Sequence, residues 1–149
     1  MAKQYWLIKS EPNKYGWDEL IAEWEAGDNK DNPGQSPGMW DGVRNYAAAK
    51  HLRTMKLGDA IFFYHSNIGV EVIGIAEVAG EHYIDPTDPK GIFVAVNVKP
   101  VRKLAQTVTL KAIKANPKLA KMELIRQGRL SVAPVREAEW EEILAMAGE

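Results

Sequence analysis

The amino-acid sequence predicts an α+β fold in which short strands form a small mixed β-barrel with short helices around it. Residues 5–8 and 60–66 are runs of bulky and β-branched side chains, which are typical of buried strands. Turn-forming residues separate such runs, and other segments have helical periodicity. Several short strands flanked by short helices favour a small barrel.

The predicted helices are marked by apolar spacing and by capping residues. Residues 17–24 place apolar side chains at i, i+3, i+4 and i+7, and Gly27 suits the end of that helix. Asn45 can cap a second helix at residues 46–55, which are strong helix formers. The remaining candidates are a short helix capped by Thr109 that stops before Pro117, a second at 119–126, and a last helix at 137–147.

Further strands and two long loops complete the expected organisation. Residues 70–78 and 93–98 are predicted strands, and residues 129–135 a short strand or extended segment. Residues 82–89 contain two prolines and are predicted to be a loop. Residues 27–39 are almost all turn-formers and lead directly into Trp40, so this second loop is expected to be mobile or functional.

The composition predicts one domain covering residues 1–149 of a cytoplasmic protein. Hydrophobic residues make up 46% and charged residues 26% of the chain, as in ordinary globular proteins. Because the chain has no cysteine, disulfides and thiolate metal sites are excluded. The N-terminus lacks the apolar run of a secretory signal, and no apolar stretch approaches the roughly 20 residues of a membrane span. Neither a cofactor nor a membrane partner is predicted.

Residues 40–46, with the sequence Trp-Asp-Gly-Val-Arg-Asn-Tyr, are the first candidate site. A core disfavours their mixture of aromatic, charged and amide side chains unless each polar group finds a partner. A pocket for a nucleic-acid base needs an aromatic face for stacking and polar groups for the base edge, and Trp40, Asp41 and Asn45 offer both. The structural alternative is that Trp40 covers the core and Asp41 pairs with Arg44.

Basic residues are concentrated in one part of the chain. Residues 99–129 contain nine bases against the single acid Glu123, although the whole chain has a net charge of -1. Such a block attracts phosphate through its local field. The candidates for phosphate contact are Arg44, Arg102, Lys103, Arg126 and Arg129. The alternative is a solvated helix face.

The sequence gives little support for catalysis. His51, His65 and His82 lack the short spacing of metal ligands, so no metal site is predicted. A nucleic-acid-processing or small-molecule hydrolase that uses His65 with Ser10, Ser66 or Ser131 is the alternative function, but the chain has no Gly-x-Ser-x-Gly elbow. Recognition is therefore the favoured function.

Four motifs in order resemble the EVE domain, a family of the PUA-like group. They are residues 5–12, 40–46, 62–67 and 129–132, within a match that runs from Tyr5 to about Leu144. The resemblance implies a β-barrel core and a non-catalytic pocket for a modified base, plausibly one flipped from DNA, with DNA favoured over RNA as the partner. Gly16 stands where the family usually has Ser, and this change weakens the expected helix cap.

The resemblance also implies which residues form the pocket. The end of the first strand would contribute Lys9, Ser10 and Glu11, and the central strand Tyr64, His65 and Ser66. The remaining implied pocket residues are Trp40, Asp41, Val43 and Asn45 from the second motif, and Leu130, Ser131 and Val132 from the closing segment.

Overall fold

The computed structural model describes residues 3–27, 37–67 and 69–149. The strands within these residues are β1 (Tyr5–Ser10), β2 (Met39–Trp40), β3 (Ala60–His65), β4 (Glu71–Ile84), β5 (Val94–Thr109) and β6 (Val132–Val135). The helices are α1 (Pro12–Tyr15), α2 (Trp17–Ala26), α3 (Tyr46–Thr54), α4 (Leu110–Ala115), α5 (Glu123–Arg126) and α6 (Glu137–Met146), with a 3-10 turn at Pro117–Leu119. The predicted α+β class is confirmed. Most of the loop predicted at 27–39 lies outside the described residues.

The strands form one sheet that curls into a half-barrel. Their order is β2-β5-β4-β3-β1-β6. β1 and β3 are parallel neighbours, and the other neighbouring pairs are antiparallel. A parallel pair needs a crossover connection, and the chain between β1 and β3 supplies it with α1, α2, β2 and α3. The crossover brings the residues around Trp40 back to the end of β1.

Each face of the β1–β3 pair contributes to a different hydrophobic cluster, because side chains alternate along a strand. Ile8 pairs with Phe63, and both belong to a first cluster that includes Trp17 and Trp40. Leu7 pairs with Phe62, and both belong to a second cluster that includes Trp140. By the same alternation, the side chains of Lys9 and Tyr64 lie on the face of the second cluster. Those of Ser10 and His65 lie on the face of the first cluster.

The four tryptophans that lie in predicted strands or helices are packing residues. Trp17 meets the Phe63 ring edge-to-face at 5.4 Å between centroids, and Trp140 stacks on Phe62 at 3.7 Å. Trp6 is buried, and its indole Nε1 donates to Asp59 at 3.0 Å. Trp24 packs against the first cluster and donates to the Val98 carbonyl at 2.7 Å.

The β4–β5 hairpin is longer than the sequence predicted. β4 continues to Ile84, so the loop prediction for residues 82–89 is wrong for its first three residues. β5 begins at Val94 and runs on through Lys103 to Thr109, far beyond the predicted end at residue 98. The two strands pair with each other along their length despite several register shifts. Pairing with a neighbour satisfies backbone groups even where the side chains are polar and exposed, which local propensity does not reveal.

Two short helices also differ from expectation. α1 was not predicted, although Pro12 at its first turn suits a helix start. The helix predicted at 119–126 is reduced to α5, and Pro117–Leu119 forms a 3-10 turn before it. Helical segments this short are not stable without tertiary packing. The buried side chains of Leu119 and Leu124 supply that packing for the 3-10 turn and α5.

A glycine fixes where β2 begins. Gly38 has φ +69°, and a Cβ there would lie 2.0 Å from the Val98 carbonyl oxygen. Its own carbonyl accepts a hydrogen bond from Val98 N at 2.9 Å. Glycine is therefore required for β2 to join β5, and this pairing sets the position of Trp40.

Candidate functional site

A cavity of about 340 Å³ opens between the end of β1 and the segment that follows β2. Its volume is within the range of ligand pockets, roughly 300–1,000 Å³. The lining residues are Lys9, Ser10, Glu11, Lys14, Tyr15, Glu23, Met39, Trp40, Asp41, Gly42, Val43, Arg44, Asn45 and Ser131. We call it the larger cavity. It combines an apolar wall with many hydrogen-bonding groups.

Trp40 forms a buried wall of the larger cavity. Only 8% of its surface is exposed, and its ring makes edge contacts with Phe63 at 5.7 Å and Tyr15 at 5.9 Å. Met39 and Val43, which are also buried, extend the apolar side. Trp40 therefore covers the core and borders the cavity at once, which joins the two interpretations that its sequence left open.

Asp85 anchors the segment from Gly42 to Arg44. This carboxylate is fully buried and accepts hydrogen bonds from Gly42 N at 2.8 Å and from Arg44 Nη1 at 2.9 Å. Thr87 donates to it through both its backbone N–H and its hydroxyl. Burial raises the pKa of Asp85, but the hydrogen bonds from Thr87, Arg44 and Gly42 outweigh it and hold the pKa below its usual value. The ion pair of Arg44 is therefore with Asp85, where the structural alternative named Asp41.

Asn45 and Asp41 flank this anchor. The Asn45 side chain caps α3 by accepting from Ala48 N at 3.0 Å, as predicted, and the residue also lines the cavity. Capping uses the oxygen of the amide, so its NH₂ group supplies the donors. Asp41 is partly exposed in the cavity wall. Burial raises the pKa of Tyr83, and the negative charge of Asp41 raises it further.

Four lining residues of the larger cavity were not predicted from the sequence, namely Lys14, Tyr15, Glu23 and Met39. Tyr15 OH donates to Glu23 Oε1 at 3.0 Å, and the buried Glu23 carboxylate also accepts from Gly38 N at 2.9 Å. The backbone carbonyl of Tyr15 accepts a short hydrogen bond from the Ser10 hydroxyl. A signal for Glu23 was available, since it lies three residues after Leu20, on the apolar face of α2, where an unpaired carboxylate is costly.

A second cavity of about 230 Å³, which we call the smaller cavity, lies beyond the ends of β1 and β3. Its lining residues are Lys9, Tyr64, Ser66, Asn67, Val70, Leu110, Lys114, Leu124, Ile125 and Gly128. Lys9 lines both cavities, and its Nζ donates to the Gly128 carbonyl at 2.7 Å. Burial lowers the pKa of Lys9 and raises the pKa of Tyr64 to about 12, so the phenol is neutral.

His65 caps α2. Its Nε2 accepts a hydrogen bond from Trp17 N at 3.1 Å, and Glu19 accepts from Gly16 N at 3.0 Å. Together they replace the side-chain cap that Gly16 cannot provide, and a Cβ at Gly16 would lie 3.3 Å from the imidazole. Burial lowers the pKa of His65, which favours the neutral ring that can accept this bond. Since Nε2 is already an acceptor for the backbone, it is not placed to deprotonate a serine.

The structure thus divides the residues that the resemblance implied. Those at the larger cavity are Lys9, Ser10, Glu11, Trp40, Asp41, Val43, Asn45 and Ser131. Tyr64 and Ser66 line the smaller cavity instead. His65, Leu130 and Val132 are in the described lining of neither; Leu130 and Val132 are buried in the first hydrophobic cluster. Face alternation explains the division, because neighbours along a strand point to opposite sides of the sheet.

The residues predicted to contact phosphate differ in availability. Arg44 pairs with Asp85, Arg102 with Glu149, and Arg126 with Glu123. Lys103 and Arg129 are exposed, and no ion pair involves either within the described part of the chain. The basic block is spread over β5, α4 and α5 and the turns between them, so the alternative of one solvated helix face is wrong.

Among residues 3–27, 37–67 and 69–149, no group of three or more His, Asp or Glu side chains is arranged to hold a metal ion. None of the helices in the same ranges is long and apolar enough to cross a membrane.

Comparison with known proteins identifies close relatives. Mouse thymocyte nuclear protein 1 is 34% identical over 95% of this chain and 73% of its own length. The NMR structure of Rpa0253 from Rhodopseudomonas palustris is 46% identical, with a TM-score of 0.85, and covers 97% of this chain and 93% of that one. The crystal structure of human THYN1 in complex with 5-methylcytosine-containing DNA is 27% identical, with a TM-score of 0.83 and 99% coverage of both chains.

The relatives confirm the PUA-like fold that the sequence motifs implied. A family model described as the EVE domain matches residues 4–146, which is nearly the whole chain. The chain belongs to the EVE domain family.

Proposed function

We propose that this EVE domain is a non-catalytic nucleic-acid-binding module that accepts a modified base, flipped out of DNA, in the larger cavity. The observation that carries the proposal is the cavity itself, which joins the apolar wall of Trp40 to hydrogen-bonding groups from two distant parts of the chain. A protein with the same fold, human THYN1, is described in complex with 5-methylcytosine-containing DNA.

The wall suits the added group of a modified base. Met39, Trp40 and Val43 are all at most 8% exposed, so a methyl group placed against them leaves water for an apolar surface. Burying one such group is worth about 0.8 kcal/mol, which corresponds to about fourfold in affinity. Unmodified cytosine would leave this part of the wall unfilled.

The polar lining of the same cavity suits the base edge. Asn45 offers amide donors, Ser131 a hydroxyl, and Asp41 a carboxylate. Asn45 is held by its capping bond to α3, and the Gly42–Arg44 segment by Asp85. Groups that are already fixed lose little entropy on binding, so Asn45 and the Gly42–Arg44 segment are pre-organised.

DNA binding is tested with labelled duplexes that differ in a single base. Fluorescence anisotropy at fixed salt would compare 5-methylcytosine with cytosine in otherwise identical sequences, and with the corresponding RNA. We expect the methylated DNA to bind about fourfold more tightly than unmodified DNA, and more tightly than the RNA. Equal affinity for all duplexes would overturn the proposal, and tighter binding of RNA would overturn the DNA preference.

Two variants test whether the base binds in the larger cavity. Ser131→Ala removes a cavity hydroxyl, and Asn45→Ser keeps a good helix cap but removes the amide donors. Each is expected to weaken binding of methylated DNA about two- to tenfold, the range for one lost hydrogen bond. Thr54→Ala is the matched control, because it removes an exposed hydroxyl near the far end of α3, which bonds to Lys50 O. Equal effects of Thr54→Ala and Ser131→Ala would count against the larger cavity.

A further inference from the structure

The smaller cavity has the donor groups of an anion site. Lys9 and Lys114 supply two ammonium groups, Tyr64 and Ser66 supply hydroxyls, and Asn67 supplies an amide. None of the described residues that line this cavity carries a carboxylate. The composition therefore differs from that of the larger cavity, whose lining includes Glu11, Glu23 and Asp41.

Two acidic residues adjoin lining residues in the sequence, and both are engaged elsewhere. Glu123, on α5 beside the cavity wall, forms ion pairs with Arg126 and Arg136. Glu71, at the start of β4, accepts a hydrogen bond from the Thr107 hydroxyl. Neither carboxylate is paired with Lys9 or Lys114 among the described contacts, so both ammonium groups can serve an external anion.

Lys9 is held in place with donors to spare. One of its N–H groups reaches the Gly128 carbonyl, and the ammonium lies 5.9 Å from the centre of the Tyr64 ring. An ammonium has three donors, so this single bond leaves two for a ligand. The Tyr64 phenol keeps its proton at neutral pH and can donate as well.

The smaller cavity also has apolar lining residues. These are Val70, Leu110, Leu124 and Ile125, and Leu124 is almost completely buried. Apolar neighbours lower the local dielectric relative to bulk water, which strengthens the attraction between the lysines and an anion. They also suit the carbon atoms next to a phosphate ester.

We propose that the smaller cavity is a phosphate-binding subsite and that, resting on the proposed function, its occupant is the backbone phosphate beside the base in the larger cavity. Lys9 lines both cavities and so links the base site to the phosphate site. A nucleotide spanning the two would place its base against Trp40 and its phosphate between Lys9 and Lys114.

Inorganic phosphate tests the subsite without any base. In ¹H–¹⁵N NMR titrations at constant ionic strength, maintained with chloride, we expect saturable shifts of the Ser66, Asn67 and Gly128 amides. Lys114→Ala should weaken phosphate binding up to about fivefold, the upper end for an exposed charge interaction. Lys111→Ala is the matched control: Lys111 is exposed on the same helix but does not line the cavity. Unsaturable shifts, or equal effects of both variants, would overturn the proposal.

Nucleosides separate this inference from the proposed function. We expect 5-methyl-2′-deoxycytidine 5′- or 3′-monophosphate to bind more tightly than the nucleoside, and Lys114→Ala to remove the gain. Phosphate binding without any nucleoside binding would leave the subsite standing and remove the proposed function. Nucleoside binding with no gain from either phosphate would leave the proposed function standing and overturn the subsite.

Discussion

The larger and smaller cavities lie on either side of Lys9 but differ in chemistry. The larger has a buried aromatic wall and three carboxylates beside its three basic residues. The smaller has two lysines, hydroxyls and aliphatic residues, with no carboxylate among its described lining residues. The difference follows from the sheet. Ser10 and Tyr64 belong to neighbouring parallel strands, yet they face opposite sides because side chains alternate. A short stretch of two strands thus lines two cavities of different chemistry.

The largest expected effect concerns the wall of the larger cavity. Trp40→Ala should lower the free energy of unfolding by about 3–5 kcal/mol, as for other buried aromatic truncations. Tyr46→Ala, six residues away, should change it little, because Tyr46 is 70% exposed. Urea denaturation followed by circular dichroism measures both. A loss below about 1 kcal/mol for Trp40→Ala would mean that Trp40 is a surface stacking residue and not a wall.

The anchor of the same wall should have the second largest effect. Asp85→Asn removes the charge that Arg44 and Gly42 bind, and we expect a loss of about 2–3 kcal/mol. Glu149→Gln, at the more exposed pair with Arg102, is the control and should cost little. At temperatures where the protein stays folded, Asp85→Asn should weaken base binding but leave phosphate binding at the smaller cavity unchanged. Equal weakening of both would contradict the separation of the two cavities.

The lowered pKa of Asp85 also predicts how the free energy of unfolding changes at acidic pH. Its pKa is lower in the folded protein than in the unfolded chain, so its stabilising contribution is present above the unfolded value of about 4 and is lost as the pH falls through the folded value. Urea unfolding of the parent and of Asp85→Asn across this range should therefore converge at low pH. A stability difference that does not depend on pH would contradict the role of the ionised carboxylate.

The shared lysine offers a more selective test. Lys9→Met keeps the length of the side chain but removes the ammonium, and we expect binding in both cavities to weaken, with phosphate affinity falling about tenfold. Lys14→Met is the control, since Lys14 lines only the larger cavity and is largely exposed in its pair with Glu11. It should reduce DNA binding at most about fivefold and leave phosphate binding unchanged. Identical profiles for the two variants would show that Lys9 is not the link.

The smallest effect concerns His65. Burial lowers its pKa in the folded protein, so its stabilising contribution is present above the unfolded pKa of about 6.5 and is lost as the pH falls toward the folded value. His65→Gln keeps an acceptor for α2 but cannot titrate, so its stability should depend less on pH between about 7.5 and 5. His51→Gln is the reference, because burial also lowers the pKa of His51. An unchanged pH dependence in His65→Gln would show that the imidazole does not cap α2.

The sequence predicted individual helices and strands better than the pairing between strands. The apolar stripe from Trp17 to Trp24 and the cap at Asn45 were sufficient for α2 and α3, because these signals are local. The length of β5 was not predictable from its own residues, since its exposed polar part is held by pairing with β4. Long-range pairing of this kind leaves no local pattern.

The candidate site was predictable as a set of residues but not as an arrangement. The resemblance to the EVE domain implied Ser10, Trp40 and Ser131 as pocket residues, and the structure brings these three to one cavity. It also grouped Tyr64 with these residues, although Tyr64 lies on the other face of the sheet. Separating it required the register between β1 and β3, which a single sequence does not contain. Likewise, nothing near Arg44 in the sequence pointed to Asp85 as its partner.

A crystal structure with 5-methyl-2′-deoxycytidine monophosphate would test the account most directly. We predict that the base lies in the larger cavity, with its methyl group against Trp40 and its edge within hydrogen-bond distance of Asn45 or Ser131. The phosphate should lie between Lys9 and Lys114 in the smaller cavity. A base bound in the smaller cavity, in contact with Tyr64 and Ser66, would contradict the assignment of the two cavities.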